Sequence, residues 1–350
     1  MSKQSNQLAN IRGVWDGGKG HNYGLPDCLA FIWERLNKTV RLDFWDFAAV
    51  AGDSVAMVYN RNPSTHCGYS VSSFLAGPEH TAYVFDAMGY AHEYVTAAQI
   101  NADKKKYMRQ VAHYIDRGLP VLALTSLADV PGWKSDVADY CLIVGYDDES
   151  LLLNVDEKDG EAQLLRYDAS GEIKMDWIFV GEKLHDITME GLYLGAVSNM
   201  THWLTLPERD GMFFGAAAFR AWADDIEAGR YENKKTHLWD DYGVYVCNLA
   251  TSPAIPYFIF KKLAKINPAY THYMALHDEI VRLFPAFKPD DIVPDDGKDG
   301  LWSELEHLRG GFNVTRKVMR NKKRRGKIAA ALRGYAERLD EAVRILNKNL

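Results

Sequence analysis

The fold is most constrained by a short apolar run at residues 139–148, taken together with a cysteine near the N-terminus of the chain. Residues 139–148 form a run that ends in Gly-Tyr-Asp-Asp, which is typical of a buried β-strand closed by a turn. Upstream, Cys28 follows Pro26 and Asp27, two residues typical of a helix start. Apolar residues then recur at helical spacing up to residue 36. We therefore predict a helix over residues 28–36 and a strand over residues 139–146.

Length and charge limit the classes of protein to consider. The chain has 350 residues, of which 47% are hydrophobic, so it can bury a large core and form two domains. A net charge of -6 argues against nucleic-acid binding by the whole surface. The N-terminal residues are polar, and no apolar run approaches the roughly 20 residues of a membrane span. We therefore predict a cytoplasmic protein that binds neither nucleic acid nor a membrane.

The cysteines argue against a metal site. The four cysteines are far apart in sequence and form no Cys-x-x-Cys pair; they are Cys28, Cys67, Cys141 and Cys247. This spacing does not fit a structural zinc site, and it agrees with a reducing compartment. The sequence also lacks a Gly-rich phosphate loop and a His-x-x-x-His pair. We therefore predict neither a metal ion nor a cofactor.

The order of the predicted elements indicates two domains. In the first half a helix over residues 107–117 precedes strands over residues 121–124, 139–146, 151–155, 163–167 and 177–180. Early helices and late antiparallel strands are typical of an α+β fold. After residue 215 the apolar spacing is helical, over residues 216–226, 258–265, 271–284, 302–308 and 325–346. We predict an α+β domain over residues 1–182, with the cysteine-bearing helix packed on an antiparallel sheet, and an all-helical domain over residues 183–350.

The first half resembles the papain-like cysteine peptidases, and most closely the bacterial branch that cleaves double-glycine leader peptides. The resemblance covers residues 20–182 and depends on three features: a thiol that opens a long first helix, Gly-Leu-Pro-Val at residues 118–121, and an apolar strand that ends in Gly-Tyr-Asp. In that family the catalytic histidine precedes this glycine by six residues, and an Asn or Asp on the next strand orients it. The corresponding residues here are Asp139 and either Asn154 or Asp156.

The resemblance implies that Cys28 is a nucleophile. A thiol in the first turn of a helix lies near unpaired N–H groups and the positive end of the helix dipole, which lower its pKa. The thiolate would attack a carbonyl to give an acyl-enzyme, and backbone N–H groups around Cys28 would hold the oxyanion. The alternative is that Cys28 is a small core residue on an amphipathic helix.

Asp139 departs from the family pattern because it replaces the expected histidine. A carboxylate with a pKa of about 4 is an anion at neutral pH, so it raises the pKa of a nearby thiol and is a poor proton donor. Either another histidine serves as the base, with His66 and His21 as candidates, or the domain has lost the chemistry. The sequence thus predicts cysteine-dependent acyl transfer or amide or thioester cleavage, in peptide or natural-product biosynthesis. The alternative is an inactive papain-like pseudoenzyme that acts as a binding module.

Two features of the second half suggest partners. The pattern Gly-Ala-Ala-Ala-Phe-Arg-Ala-Trp-Ala at residues 215–223 resembles a helical domain in the group of the butirosin biosynthesis acyltransferase. That resemblance implies a peptide or acyl-carrier substrate. In addition, seven of the ten residues 316–325 are Lys or Arg, which predicts docking of an acidic partner. The alternative is an exposed helix face whose charge is balanced by Glu337, Asp340 and Glu341.

Overall fold

The structure, a computed structural model, describes residues 5–15, 21, 23–61, 70–126, 138–158, 160–232, 238–251, 255–283 and 301–350. The chain divides into two compact units. Described residues within Met1–Ala51 and Ser72–Leu192 form the first unit, and those within Gly52–Thr65, Tyr69–Val71 and Tyr193–Leu350 form the second. The main change of unit falls between Leu192 and Tyr193, whereas the sequence predicts a boundary between residues 182 and 183. A short early segment that begins at Gly52 also belongs to the second unit.

The helices of the first unit are set by local start and stop signals. Thr96 and Gln99 form a reciprocal capping box before α5, and the side chain of Asp103 caps α6. Gly89 ends α4 in the left-handed conformation that glycine adopts without steric cost. The helices are α1 (Gly24–Leu36), α2 (Phe44–Ala51), α3 (Val71–Phe74, which begins at the unit boundary), α4 (Pro78–Met88), α5 (Ala97–Ala102) and α6 (Lys104–Asp116).

An antiparallel sheet forms the other layer of the first unit. The strands of the whole chain are β1 (Asn6–Gln7), β2 (Val58–Asn60), β3 (Tyr90–Val95), β4 (Val121–Ser126), β5 (Ala138–Tyr146), β6 (Ser150–Lys158), β7 (Glu161–Asp168), β8 (Met175–Lys183) and β9 (Met212–Phe214). In the described residues the sheet of the first unit has the order β3-β8-β4-β5-β6-β7, and β1 pairs with the end of β5. The predicted combination of helices with an antiparallel sheet is confirmed.

Strand β5 lies inside this sheet, which explains its continuous apolar sequence. Its residues from Tyr140 to Val144 are fully buried, because β4 and β6 flank it and both of its faces are covered. Asp139 pairs with Thr125 of β4, and Cys141 pairs with Ala123. Since side chains alternate along a strand, Asp139 and Cys141 point to the same face. Helix α1 packs against β5, so this strand is positioned to contact the cysteine-bearing helix.

The second unit is mainly helical, but the prediction of an all-helical C-terminal domain is wrong at β9. Strand β9 pairs antiparallel with β2, which comes from the N-terminal half. Three residues carry too little periodicity to indicate a strand, and their partner is distant in sequence. The helices are α7 (Met189–Leu204, which begins in the first unit), α8 (Gly215–Glu227), α9 (Leu238–Thr251), α10 (Ile255–Ile266), α11 (His272–Val281), α12 (Leu301–Leu308), α13 (Arg316–Met319) and α14 (Lys322–Asn349).

Aromatic side chains of α8, α9 and β2 build the core of the second unit. The ring of Tyr59 stacks on Trp222 and lies 4.6 Å from the ring of Tyr245. Its hydroxyl donates to Asp225 Oδ2 at 2.7 Å and lies 3.0 Å from the hydroxyl of Tyr231. Burial raises the pKa of Tyr59 well above its usual value, so this hydroxyl stays protonated. Hydrogen bonds within an apolar core therefore fix the position of β2 in the second unit.

Candidate thiol site in helix α1

Helix α1 begins four residues before the predicted start. Its first residue is Gly24, so Pro26 lies in the first turn, where its missing N–H would have had no helical partner. Cys28 is the fifth residue of the helix. Its N–H therefore belongs to the regular i to i-4 pattern and is not available to an oxyanion. The expected stabilisation of an oxyanion by the N–H of Cys28 is therefore not supported.

Cys28 is completely buried. Its relative exposure is 0%, and it is a free thiol. Burial raises its pKa well above the usual value, and the neighbouring Cys141, Asp27 and Asp139 raise it further. The positive charge of Arg12 acts in the opposite direction but does not compensate. The prediction that the helix start lowers the pKa of this thiol is therefore wrong, because desolvation and negative neighbours outweigh the helix dipole.

Asp139 lies next to the first residue of α1. A Cβ atom on Gly24 would clash with Asp139 Oδ1 and would lie 2.8 Å from the carbonyl oxygen of Tyr140. Asp139 is 1% exposed, and its Oδ1 accepts the N–H of Tyr140 at 2.7 Å. Burial, followed by the charge of Asp139, also raises the pKa of Cys141 to about 12. The structure therefore brings Asp139 near the thiols of both α1 and β5.

Asp27 is the centre of a charged cluster beside Cys28. Its Oδ1 accepts a hydrogen bond from the guanidinium of Arg12 at 2.9 Å, and its Oδ2 accepts the backbone N–H of Trp15 at 2.8 Å. His21 Nδ1 lies 3.3 Å from Oδ2. Burial by itself would raise the pKa of Asp27, but the hydrogen bond from His21 and the charge of Arg12 outweigh it and lower the pKa. Asp27 is therefore a stable buried carboxylate rather than an acid.

His21, one of the two candidate bases, contacts Asp27 rather than the thiol. Its ring stacks on Phe44 at 4.2 Å and meets Trp45 edge-on at 6.5 Å. These contacts fix the plane of the imidazole, and Asp27 fixes its Nδ1. His66, the other candidate base, lies outside the described residues. Among the described residues no histidine is placed as a base for Cys28.

The predicted orienting residues lie on β6. Asn154 is fully buried, and its Nδ2 donates to the backbone oxygen of Arg12 at 2.8 Å. It pairs with Leu142, whose side chain points to the opposite face of β5 from those of Asp139 and Cys141. Asp156 follows a register shift in β6 and pairs with Gln163 of β7. Asn154 therefore supports the segment that carries Arg12 and does not orient Asp139.

Sequence reasoning missed three members of this cluster. Cys141 stands two residues after Asp139, so strand alternation was a sufficient signal that the two share a face. Arg12 and Trp15 gave no such signal, because they lie in an irregular segment that only the tertiary structure brings to Asp27. Trp15 has a positive φ of 65°, and its buried Nε1 has no hydrogen-bond partner among the described residues.

The arrangement limits the chemistry that is possible at Cys28. Two thiols with raised pKa values and two carboxylates, Asp27 and Asp139, occupy a buried region, and Arg12 forms an ion pair with Asp27. In the part of the chain that the structure describes, no group of three or more His, Cys, Asp and Glu side chains could hold a metal ion. The described helices also include none that is both long enough and apolar enough to cross a bilayer.

Comparison with known proteins adds no assignment. Neither a protein-family model nor a curated protein matches this sequence. The fold and the site therefore define the class only as a mixed α/β protein with an antiparallel sheet and a buried thiol on its first long helix.

Proposed function

We propose that the first unit is a papain-like domain that has lost thiol chemistry and acts as a binding module for a peptide or acyl-carrier partner. The observation that carries the proposal is the complete burial of Cys28 beside Asp27 and Asp139. The supporting resemblance is the order of a thiol-bearing helix followed by an antiparallel sheet with Asp139 at the position of the family's histidine.

The raised pKa of Cys28 argues against catalysis by this thiol. A thiol with an ordinary pKa of about 8.5 is only about 3% ionised at pH 7, and each further unit of pKa reduces that fraction about tenfold. The pKa of Cys28 is raised, so its thiolate is scarcer than that of an ordinary cysteine. A cysteine nucleophile also needs a base that takes its proton and returns it to the leaving group. Asp139, an anion in the same buried region, opposes the formation of a thiolate.

Cysteine-dependent acyl transfer remains a second candidate, because one observation favours it. Cys28 and Asp139 are neighbours, as the family arrangement requires for the thiol and the residue at the histidine position. In this reading the sulfur adds to a carbonyl carbon, a base takes the thiol proton, and the leaving group departs with that proton. The acyl group then passes to an amine or to water. A movement that exposes Cys28 and brings an imidazole to it would be required.

Alkylation of Cys28 by iodoacetamide, measured against pH, separates the two candidates. We expect native Cys28 to react at least about a hundredfold more slowly at pH 7 than the same thiol in the urea-unfolded chain. The modified residue is identified by peptide mass spectrometry in a background where Cys67 and Cys247 are replaced by Ser. Cys28→Ser is the matched control. A native thiol that reacts faster than the unfolded one, with a midpoint below about pH 8.5, would overturn the proposal.

The binding role is tested separately with a peptide that contains a Gly-Gly sequence. We expect this peptide to bind the wild-type chain and Cys28→Ser with equal dissociation constants in isothermal titration calorimetry. Liquid chromatography of the same mixture should show no cleavage. Cleavage by the wild type but not by Cys28→Ser would establish the catalytic alternative, and absence of binding would remove the peptide as the partner class.

The exposed cations within residues 316–325 support an additional contact with an acidic partner. This part of the proposal concerns the second unit and does not depend on the state of Cys28.

A further inference from the structure

A cleft in the second unit lies between α12 and α14. It is lined by Glu304 and Leu308 on α12 and by side chains within residues 327–338 of α14, and its volume is about 430 Å³. We refer to this surface as the α12–α14 cleft. Its volume falls in the usual range for ligand pockets of about 300–1,000 Å³. The cleft is far from the thiol in sequence and belongs to neither of the proposed roles of Cys28.

Three of the residues that line the cleft are small. They are Ala330, Ala331 and Gly334, and a Cβ atom built on Gly334 would meet no atom within 4 Å. Small side chains allow the axis of a second helix to approach closely, and axes of packed helices are about 8–10 Å apart. This part of the cleft therefore leaves room for the face of a partner helix.

Cations follow one another along the same face of α14. Lys323, Lys327 and Arg338 are separated by 4 and 11 residues, spacings that keep side chains on one side of a helix. Lys323 and Lys327 are exposed, and the buried Nε of Arg338 has no hydrogen-bond partner among the described residues. From Lys323 to Arg338 the helix rises about 22 Å. Lys327 and Arg338 thus give the cleft two cations, and Lys323 lies one turn before Lys327 on the same side of α14.

The seven cations of the basic run do not form one exposed surface. Arg325 is buried, where it donates to the oxygen of Met319 and pairs with Glu232. Arg316 and Arg320 donate to backbone oxygens of Tyr231 and Glu232. The remaining four cations are exposed and have no carboxylate within ion-pair distance among the described residues; they are Lys317, Lys322, Lys323 and Arg324.

Two of the three carboxylates that could balance the basic run pair with other cations. Asp340 pairs with Arg220 of α8, and Glu341 pairs with Arg344 on its own helix. Of the three carboxylates in that alternative, Asp340 and Glu341 therefore pair with cations outside the run, and Glu337 is exposed. The first turn of α14 also contains no acidic residue, so its cations face the positive end of the helix dipole. An anionic partner would relieve this repulsion.

We propose that the α12–α14 cleft docks an acidic amphipathic helix of a protein partner. The apolar side of that helix would lie on Ala330 and Ala331, and its carboxylates would pair with Lys323, Lys327 and Arg338. Glu304 on the opposite wall would accept a single cation of the partner and set its register. Nucleic acid fits less well, because the described lining residues include no aromatic side chain for base stacking and Glu304 would repel phosphates.

The test uses the full chain and a fluorescein-labelled peptide of about 14 residues, which spans about 21 Å as a helix. The peptide has Glu on one face and Leu and Ala on the other, and its binding is measured by fluorescence anisotropy. Measurements at ionic strengths of about 0.01 M and 0.15 M correspond to Debye lengths of about 30 Å and 8 Å. We expect Lys327→Glu to weaken binding about tenfold at low ionic strength and less at high ionic strength.

Gly334→Trp tests the shape of the cleft. Because Gly334 faces open space, this variant should fold, which circular dichroism verifies. We expect it to weaken peptide binding at least about tenfold at both ionic strengths. The indole would occupy the cleft and exclude the peptide sterically, an effect that salt does not screen. Lys348→Glu and Asn347→Trp are the matched controls. Both are exposed on α14 beyond the cleft, and we expect neither to change binding.

Three outcomes would overturn the proposal. Equal weakening by Lys348→Glu and Lys327→Glu would indicate a long-range charge effect without docking. Unchanged binding in Gly334→Trp would exclude the cleft. Tighter binding of a single-stranded RNA of about 14 nucleotides, insensitive to Gly334→Trp, would identify a nucleic-acid surface instead.

Discussion

Gly24 of α1 and Asp139 of β5 are packed so closely that no side chain fits between them. A Cβ atom on Gly24 would clash with Asp139 Oδ1 and lie 2.7 Å from Trp15 Nε1. This contact joins the first turn of the helix to the strand residue that replaces the family's histidine. It fixes the depth at which α1 sits on the sheet and thereby the burial of Cys28 one turn later.

Gly24→Ala should destabilise the fold. The added methyl group meets the carbonyl of Tyr140 at 2.8 Å, and this backbone oxygen belongs to a central strand that cannot move freely. Overpacking of this kind costs about 1–3 kcal/mol, which urea unfolding would measure. Gly171→Ala is the control, because its Cβ would meet no atom within 4 Å. Equal stability of the two variants would contradict the close contact.

Asp139→His should increase the reactivity of Cys28 if the fold has lost a peptidase-like base. The substitution removes a negative charge that raises the pKa of the thiol and supplies an imidazole at the family's position. We expect faster alkylation by iodoacetamide at pH 7 than in the wild type. Asp139→Asn removes the charge alone and should give a smaller increase. If the His and Asn variants react at the same rate, the residue at 139 does not act as a base.

Asp27→Asn should lower stability at neutral pH more than at acid pH. The folded pKa of Asp27 is lowered, so its stabilisation is present above the unfolded pKa of about 4 and is lost as the pH falls through the folded pKa. We expect the variant to lose about 1–3 kcal/mol of unfolding free energy at pH 7.

The difference from the wild type should begin to narrow in urea titrations below about pH 4, where the carboxylate of the unfolded wild type binds a proton. It should vanish as the pH falls through the lowered pKa of folded Asp27. Glu34→Gln, which removes the exposed pair with the same Arg12, should change stability by about 0.5 kcal/mol or less. If the difference in unfolding free energy between Asp27→Asn and the wild type stays constant from pH 7 to pH 3, the stabilisation by Asp27 does not depend on its charge.

Tyr59→Phe should destabilise the second unit although it keeps the aromatic ring. The hydroxyl donates to Asp225 and adjoins the Tyr231 hydroxyl in a buried network, so its loss leaves these groups partly unsatisfied. We expect a cost of about 1–3 kcal/mol in thermal or urea unfolding. Tyr146→Phe removes an exposed hydroxyl contact with Asp116 and should cost less than about 1 kcal/mol. If Tyr59→Phe leaves the free energy of unfolding unchanged, the hydroxyl contributes nothing and ring packing alone stabilises this core.

The predicted strands and helices agree with the structure where they depend on local periodicity. The strand predicted over residues 139–146 is β5, Ala138–Tyr146, because a buried strand needs an uninterrupted apolar run. The helix predicted over residues 325–346 lies within α14, Lys322–Asn349, because the basic residues before it carry no apolar period. The start of α1 was missed by four residues, since Gly24 and Pro26 are poor helix formers that are tolerated only in a first turn.

The candidate site was partly predictable. Cys28 and Asp139 were selected by order and spacing, and the structure brings them together. The environment of the thiol was not predictable, because desolvation depends on all the atoms around it and not on its position in a helix. His21, selected as a candidate base, lies near the start of α1, where it contacts the carboxylate of Asp27.

The sequence by itself determined the helices and strands that have a clear apolar period, the antiparallel character of the sheet and the presence of a cysteine on the first long helix. Only the tertiary structure decided the pairing of β2 with β9, the burial of Cys28 and the partners of the charged groups, such as Arg12 with Asp27 and Arg220 with Asp340. The reason is physical. Helices and strands are specified by periodicities within a few residues, whereas burial and charge pairing depend on groups that are distant in the chain and meet only when it folds.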